Sequence, residues 1–131
     1  MLELNRRFCT GKDAAAKFLT IYIEEAHAAD EWYFHESEVT TTLKAKVAVH
    51  RNIHERIAAA NLFKQRTKPA ADQLEVVCDS MTGHVTMRYE AWPERLYIIV
   101  DGVVVYKGGI GPFDYRLYEA RQWLEERFPN L

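Results

Sequence analysis

Acidic and histidine side chains follow an apolar run near the start of the chain. Glu25 and His27 come directly after residues 18–23, whose β-branched and aromatic side chains predict a strand. Side chains two positions apart on a strand project to the same side, so this pair would face one site if the strand continues that far. A histidine beside a carboxylate can deliver a proton near neutral pH. The alternative is a solvated acidic turn with an exposed histidine.

Other side chains suited to binding lie close by in the sequence. Tyr22 belongs to the same predicted strand and is either a site residue or a half-buried core tyrosine. His50 stands before a helical pattern, where a surface histidine is the ordinary alternative, and His54 follows one turn later. Two histidines at this spacing could mimic a metal site, but a third ligand is not visible. We therefore predict no metal.

The two cysteines, Cys9 and Cys78, stand far apart and have no CxxC or CxxH spacing. They predict neither a zinc site nor a disulfide framework, and they favour a reducing, cytoplasmic compartment. Cys9 lies inside a helical stretch and lacks the N-terminal dipole that lowers a thiol pKa. Cys78 ends a predicted core strand. We expect both to be structural thiols.

The length and charge of the chain argue against several classes of function. The chain has 131 residues, enough for a single domain over residues 1–131, and 17 basic against 19 acidic residues. This balance gives no electrostatic reason to propose nucleic acid or an anionic membrane as a partner. The strongest apolar runs are strand-sized, whereas a membrane-spanning helix needs about 20 apolar residues. The first residues mix both charges and do not form a signal peptide.

The hydrophobic pattern predicts the order α-β-α-β-β-β-α, which is an α/β protein. A first helix extends from Leu4 towards Phe18, and a long loop covers residues 28–48. The second helix, residues 52–63, is predicted to face inward with Ile53, Ile57 and Ala60. A short strand follows at residues 74–78.

A hairpin and a final helix close the predicted fold. Two β-rich runs, residues 95–100 and 103–107, flank Asp101-Gly102, which predicts a type I′ turn. Pro93 stands before the first of them. The final helix, residues 115–128, is amphipathic. Its predicted inward face is Leu117, Ala120, Trp123, Leu124 and Phe128. Proline, strand, turn, strand and helix in this order are the layout of the C-terminal half of the thioredoxin fold.

Three segments carry a more specific resemblance. Residues 18–32, FLTIYIEEAHAADEW, resemble the IYIEEAHA-x-D-x-W signature of the iodothyronine deiodinases. Residues 93–99, PERLYII, with YKG at 106–108 and GP at 111–112, are similar to a second segment of that family. The block HRNIHER at 50–56, which ends at Arg56 and precedes three alanines at 58–60, also fits. The matches come in the family's order and cover nearly the whole chain.

The resemblance implies a thioredoxin-like fold, with a mixed sheet, a C-terminal hairpin and a final helix. It also implies an oxidoreductase that replaces iodine on an iodothyronine-like small molecule with hydrogen, using a thiol reductant as cosubstrate and no other cofactor. Glu25 and His27 would support proton delivery as catalytic residues. Tyr22, His50 and Glu94 would contact substrate. The family resemblance also points to a homodimer.

The chain departs from the family pattern in three ways. The selenocysteine or cysteine nucleophile and the first strand would lie upstream of Met1, and a UGA codon read as a stop is our hypothesis for this. Ile110 occupies a position where some members have a polar or basic substrate contact, and the 33–49 loop is longer. The alternatives are therefore a related redoxin acting on peroxide, a disulfide or another halogenated aromatic, and an inactive fragment or dimerising module.

Overall fold

The computed structural model describes residues 2–10, 14–30, 47–67 and 75–131, and the predicted loop lies mostly outside these ranges. The described part is α/β, as predicted, and its longest helix has 14 residues. None of its helices is long and apolar enough to cross a membrane. The elements are α1 Leu2–Phe8, β1 Leu19–Tyr22, α2 Ile53–Arg66, β2 Glu75–Cys78, α3 His84–Tyr89, β3 Tyr97–Val100, β4 Val103–Lys107 and α4 Leu117–Arg127.

The strands form one parallel and one antiparallel pair. Strand β1 runs parallel to β2, with Tyr22 opposite Cys78. Strands β3 and β4 form the predicted hairpin, in which Asp101 and Gly102 have φ values of 50° and 80°. Positive φ at both turn positions is what a type I′ turn requires. The mixed pairing predicted from the sequence is present as two two-stranded ladders in the described part of the chain.

Helices α1 and α4 share an apolar core. Leu4 and Phe8 pack with Leu124, and Ile98 of the hairpin lies against this cluster. The predicted inward face of α4 is confirmed, with Ala120 and Leu124 buried. The predicted first helix is wrong for the described residues 9–10 and 14–18, because α1 ends at Phe8 and the Phe8 carbonyl oxygen accepts hydrogen bonds from the Ala15 and Ala16 amides.

Helix α2 begins with a side-chain cap. The Asn52 side chain accepts a hydrogen bond of 3.1 Å from the Glu55 amide, and Glu55 accepts one of 2.7 Å from the Arg51 amide. The predicted inward face is wrong in part, because Ile53 and Ile57 are exposed while Arg56, Ala59 and Ala60 are buried. Hydrogen bonds from Arg56 to the segment after β2 turn this other face inward.

Helix α3 was not predicted, and it is held by a side chain outside the helix. The Asp79 carboxylate accepts hydrogen bonds of 2.9 Å from the Val85 and Thr86 amides, and of 2.8 Å from the Ser80 amide. The six-residue helix is too short to show a period in the sequence. Asp79, only 1 % exposed, therefore fixes the path of the chain after β2.

We predict that Asp79→Ala lowers the free energy of unfolding by about 2 kcal/mol, because it leaves the part-buried amides of Ser80, Val85 and Thr86 without their acceptor. Urea denaturation at pH 7 measures this. Asp114→Ala is the matched control, because the Asp114 carboxylate meets Arg116 on the surface at 3.3 Å. Because water screens such an exposed pair, Asp114→Ala should unfold close to wild type.

The Asp79 contribution also has a defined pH dependence. Burial alone would raise the pKa of its carboxyl, but the hydrogen bonds from Val85, Thr86 and Ser80 hold it below the ordinary value. A lowered pKa in the folded state contributes stability above the unfolded pKa of about 3.9, and that stability is lost as the pH falls through the folded value. The difference in free energy of unfolding between wild type and Asp79→Ala should therefore be smaller in strong acid than at pH 7. An equal difference at both pH values would contradict this.

Candidate functional site

A tyrosine and a carboxylate meet where β1 ends. The Tyr22 hydroxyl donates a hydrogen bond to the Glu25 carboxylate. Burial of the phenol and this bond to Glu25 raise the pKa of Tyr22, so the phenol keeps its proton at neutral pH. The carboxyl end of a strand is where α/β folds place ligand groups. At this end of the β1–β2 ladder, Tyr22 therefore keeps its hydroxyl proton in a hydrogen bond to Glu25.

His50 packs against the same tyrosine. His50 is 7 % exposed, and the centroid of its ring lies 5.8 Å from the centroid of the Tyr22 ring. Neither ring nitrogen has a hydrogen-bond partner within the described residues. Burial lowers the pKa of His50, although the charge of Glu25 opposes this, which favours the neutral imidazole. A neutral ring offers one donor and one acceptor nitrogen, so His50 can either donate a hydrogen bond to a ligand oxygen or accept one from a ligand hydroxyl.

The other two predicted site residues are His27 and Glu94. Strand β1 ends at Tyr22, so strand alternation no longer relates Glu25 to His27, and His27 is exposed. Glu94 precedes the hairpin, and its carbonyl oxygen accepts a hydrogen bond of 3.0 Å from the Gly111 amide. A Cβ atom at Gly111 would collide with the Glu94 side chain. The structure thus brings together Tyr22, Glu25 and His50 and places Glu94 against the loop at Gly111.

Metal-ligating side chains do not converge in the described part of the chain. His54, considered above as a partner for His50, is exposed on α2. Within residues 2–10, 14–30, 47–67 and 75–131, there is no group of three side chains able to hold a metal ion. The chemistry available to the cluster is therefore hydrogen bonding and proton transfer by Tyr22, Glu25 and His50.

Arg56 ends the block at residues 50–56 that resembles the family, but sequence reasoning gave it no role in the site. It is 3 % exposed and donates hydrogen bonds of 3.2 Å and 2.6 Å to the carbonyl oxygens of Asp79 and Ser80. Its charge acts on both Tyr22 and His50. The available signal was its spacing, because Arg56 is three and four positions before the small residues Ala59 and Ala60. An arginine on such a stripe normally predicts a solvated face.

The two thiols are poorly suited to nucleophilic attack. Burial raises the pKa of Cys9. Burial also raises that of Cys78, although the nearby charge of Arg56 opposes it. The thiolate is the reactive form of cysteine, so a raised pKa keeps both side chains in the inert form at neutral pH. This agrees with the prediction that both are structural.

Known proteins similar to this chain belong to one group. The family model described as iodothyronine deiodinase matches residues 2–128. Thyroxine 5-deiodinase of Bos taurus is 39% identical over 120 residues, which are 92% of this chain and 36% of that protein. Thyroxine 5-deiodinase of Aquarana catesbeiana is 38% identical over 125 residues, which are 95% of this chain and 43% of that protein.

A differently named relative matches over a similar range. Type I iodothyronine deiodinase of Xenopus laevis is 37% identical over 115 residues, which are 88% of this chain and 41% of that protein. The chain thus spans less than half the length of these relatives. The similarity covers nearly all of its own residues, the Tyr22, Glu25 and His50 cluster included.

We predict that Cys9 and Cys78 react with iodoacetamide at pH 7 more slowly than free cysteine, because both thiols hold their protons. The rate should rise about tenfold per pH unit below the thiol pKa. Mass spectrometry of tryptic peptides, with glutathione in the same tube as the matched thiol, measures each rate. Alkylation of either residue at pH 7 as fast as glutathione would show an activated thiol.

Proposed function

The chain belongs to the iodothyronine deiodinase family, and we propose that it supplies the substrate-binding and proton-delivering residues of a reductive dehalogenase. The substrate class is an iodinated aromatic of the iodothyronine type, and a thiol is the reductant. The observation that carries this proposal is the cluster of Tyr22, Glu25 and His50 at the carboxyl end of β1. Its residues fall inside the segment that matches the family.

The proposed reaction replaces a carbon–iodine bond with a carbon–hydrogen bond. A selenolate or thiolate takes the iodine, and the ring carbon accepts a proton. Two thiols then supply the two electrons and become a disulfide, while iodide and a proton leave. We propose that the nucleophile is a residue other than Cys9 and Cys78, because burial raises the pKa of both. The family's nucleophile precedes the segment matched by Tyr22 to His27.

The roles of the cluster follow from its protonation. Glu25 accepts a hydrogen bond from the Tyr22 hydroxyl, and we propose that this carboxylate and His27 pass a proton towards the ring carbon. His50 stays neutral and keeps both nitrogens free of partners among the described residues, which suits it to a phenol or ether oxygen of the substrate. Tyr22 would add an aromatic face, and Glu94 would contact the substrate from the hairpin side.

One observation favours a second candidate. Ile110 is exposed in the loop between β4 and α4, and its side chain offers no polar or basic contact to a substrate. A related redoxin acting on peroxide, a disulfide or another halogenated aromatic would not need such a contact. Raised pKa values at Cys9 and Cys78 equally fit a chain that is inactive by itself. Homodimer formation stays a prediction.

We predict that the 131-residue chain binds thyroxine, and that His50→Ala weakens this binding about tenfold by removing one hydrogen bond to the ligand. Isothermal titration calorimetry measures the dissociation constants. His54→Ala is the matched control, because His54 is exposed on the neighbouring helix α2 and should bind as wild type.

Iodine-free thyronine distinguishes the two candidate functions. The dehalogenase proposal expects thyronine to bind at least about tenfold more weakly than thyroxine, because the iodine atoms add apolar contact area. Equal binding of both ligands, or thyroxine binding unchanged by His50→Ala, would refute the proposed substrate class and favour the redoxin alternative.

A further inference from the structure

A buried arginine joins helix α2 to the segment that follows β2. One terminal nitrogen of Arg56 donates to the carbonyl oxygen of Asp79 at 3.2 Å and to that of Ser80 at 2.6 Å. The Arg56 Nε has no partner among the described residues, although it is shielded from solvent. The Arg56 side chain thus donates its hydrogen bonds to two neighbouring backbone oxygens in the turn after β2.

Burying this cation is costly by itself. A guanidinium keeps its charge at any pH a protein survives, and removing it from water costs several kcal/mol unless partners compensate. In the described part of the chain, no carboxylate forms an ion pair with Arg56. An apolar side chain of similar length at this buried position would avoid that cost. Stability alone is therefore a weak reason for an arginine here.

The contacts of Arg56 complete a closed circuit around the candidate site. The Asp79 amide donates a hydrogen bond of 2.9 Å to the Tyr22 carbonyl oxygen, which ties the turn to the end of β1. Arg56 ties the same turn to α2. The cap formed by Glu55 ties the start of α2 to Arg51, the residue next to His50. The His50 ring returns to Tyr22 at 5.8 Å and closes the circuit.

We infer that Arg56 is a positioning residue: its hydrogen bonds to Asp79 and Ser80 fix the start of α2, and they thereby hold the His50 ring against Tyr22. His50 has no hydrogen bond of its own within the described residues, so its place depends on the backbone that carries it. The expected effect of Arg56 on thyroxine binding rests on the proposed function. The placement of the ring does not.

The charges around His50 define a second readout. The groups that act on it are Glu24 and Glu25 after β1, and Glu55 and Arg56 on α2. The uncharged Tyr22 phenol faces the ring. The carboxylates raise the pKa of His50, whereas burial and Arg56 lower it. Loss of Arg56 removes a nearby cation and loosens the ring towards solvent. Both changes raise the His50 pKa, so protonation should begin at a higher pH.

The test uses nuclear magnetic resonance on the 131-residue chain, with wild type, Arg56→Met and Arg56→Lys compared. In wild type, ring protons of His50 and Tyr22 should give a nuclear Overhauser effect. In Arg56→Met this effect should be lost, and the His50 titration midpoint should move upward. Arg56→Lys keeps the charge but not the planar donor geometry, and it should be intermediate. Thyroxine binding should weaken about tenfold in Arg56→Met.

Arg51→Met is the matched control, because the Arg51 side chain is 79% exposed and pairs with Asp30 at 3.7 Å. It should keep the ring contact and the midpoint. A folded Arg56→Met that keeps both would overturn the inference, whatever its melting temperature. If Arg56→Met fails to fold, Arg56→Lys decides, and wild-type behaviour of that variant overturns the inference as well.

The two arms separate this inference from the proposed function. Loss of the ring contact in Arg56→Met supports the positioning role even if wild type binds no thyroxine, an outcome that would remove the proposed substrate alone. A double-mutant cycle adds the final comparison. When thyroxine binds, Arg56→Met should cost little further affinity in the His50→Ala background, because both changes remove the same contact. Additive losses would show that Arg56 does not act through His50.

Discussion

Hydrogen bonds from one buried residue connect the parts of the fold that carry the site. The Asp79 amide bonds to the Tyr22 carbonyl oxygen, its own carbonyl oxygen accepts from Arg56, and its carboxylate accepts from three backbone amides of the α3 turn. Strand β1, helix α2 and helix α3 are therefore all hydrogen-bonded to one residue, Asp79. The alignment of His50 with Tyr22 depends on this junction, since His50 has no hydrogen bond of its own among the described residues.

The local signals in the sequence were sufficient where one or two residues dictate the backbone. Asp101 and Gly102 predict the type I′ hairpin, because few other residues accept positive φ at both positions. The apolar residues of α4 recur at helical spacing, and this spacing predicts which face of the helix is buried. Helix α3 could not be predicted, because its amides are bonded to Asp79, outside the helix, and six residues show no period.

The candidate site was predicted only in part. The prediction placed Glu25 and His50 at a site from residue type and family resemblance, and the structure places both beside Tyr22. It missed Arg56, because helical periodicity assigns charged residues to the solvent side, while a tertiary partner decides whether one is buried. The inward orientation predicted for Ile57 failed for the same reason, since the Arg56 face of α2 took its place.

We propose that the Glu25 carboxylate, which accepts a hydrogen bond from Tyr22, takes part in proton delivery during reductive deiodination. The most direct measurement is iodide release from thyroxine by the protein translated from its complete transcript, with selenocysteine decoding and dithiothreitol present. We expect iodide release by wild type and a loss of at least about a hundredfold in Glu25→Gln. Release by Glu25→Gln at the wild-type rate would contradict it.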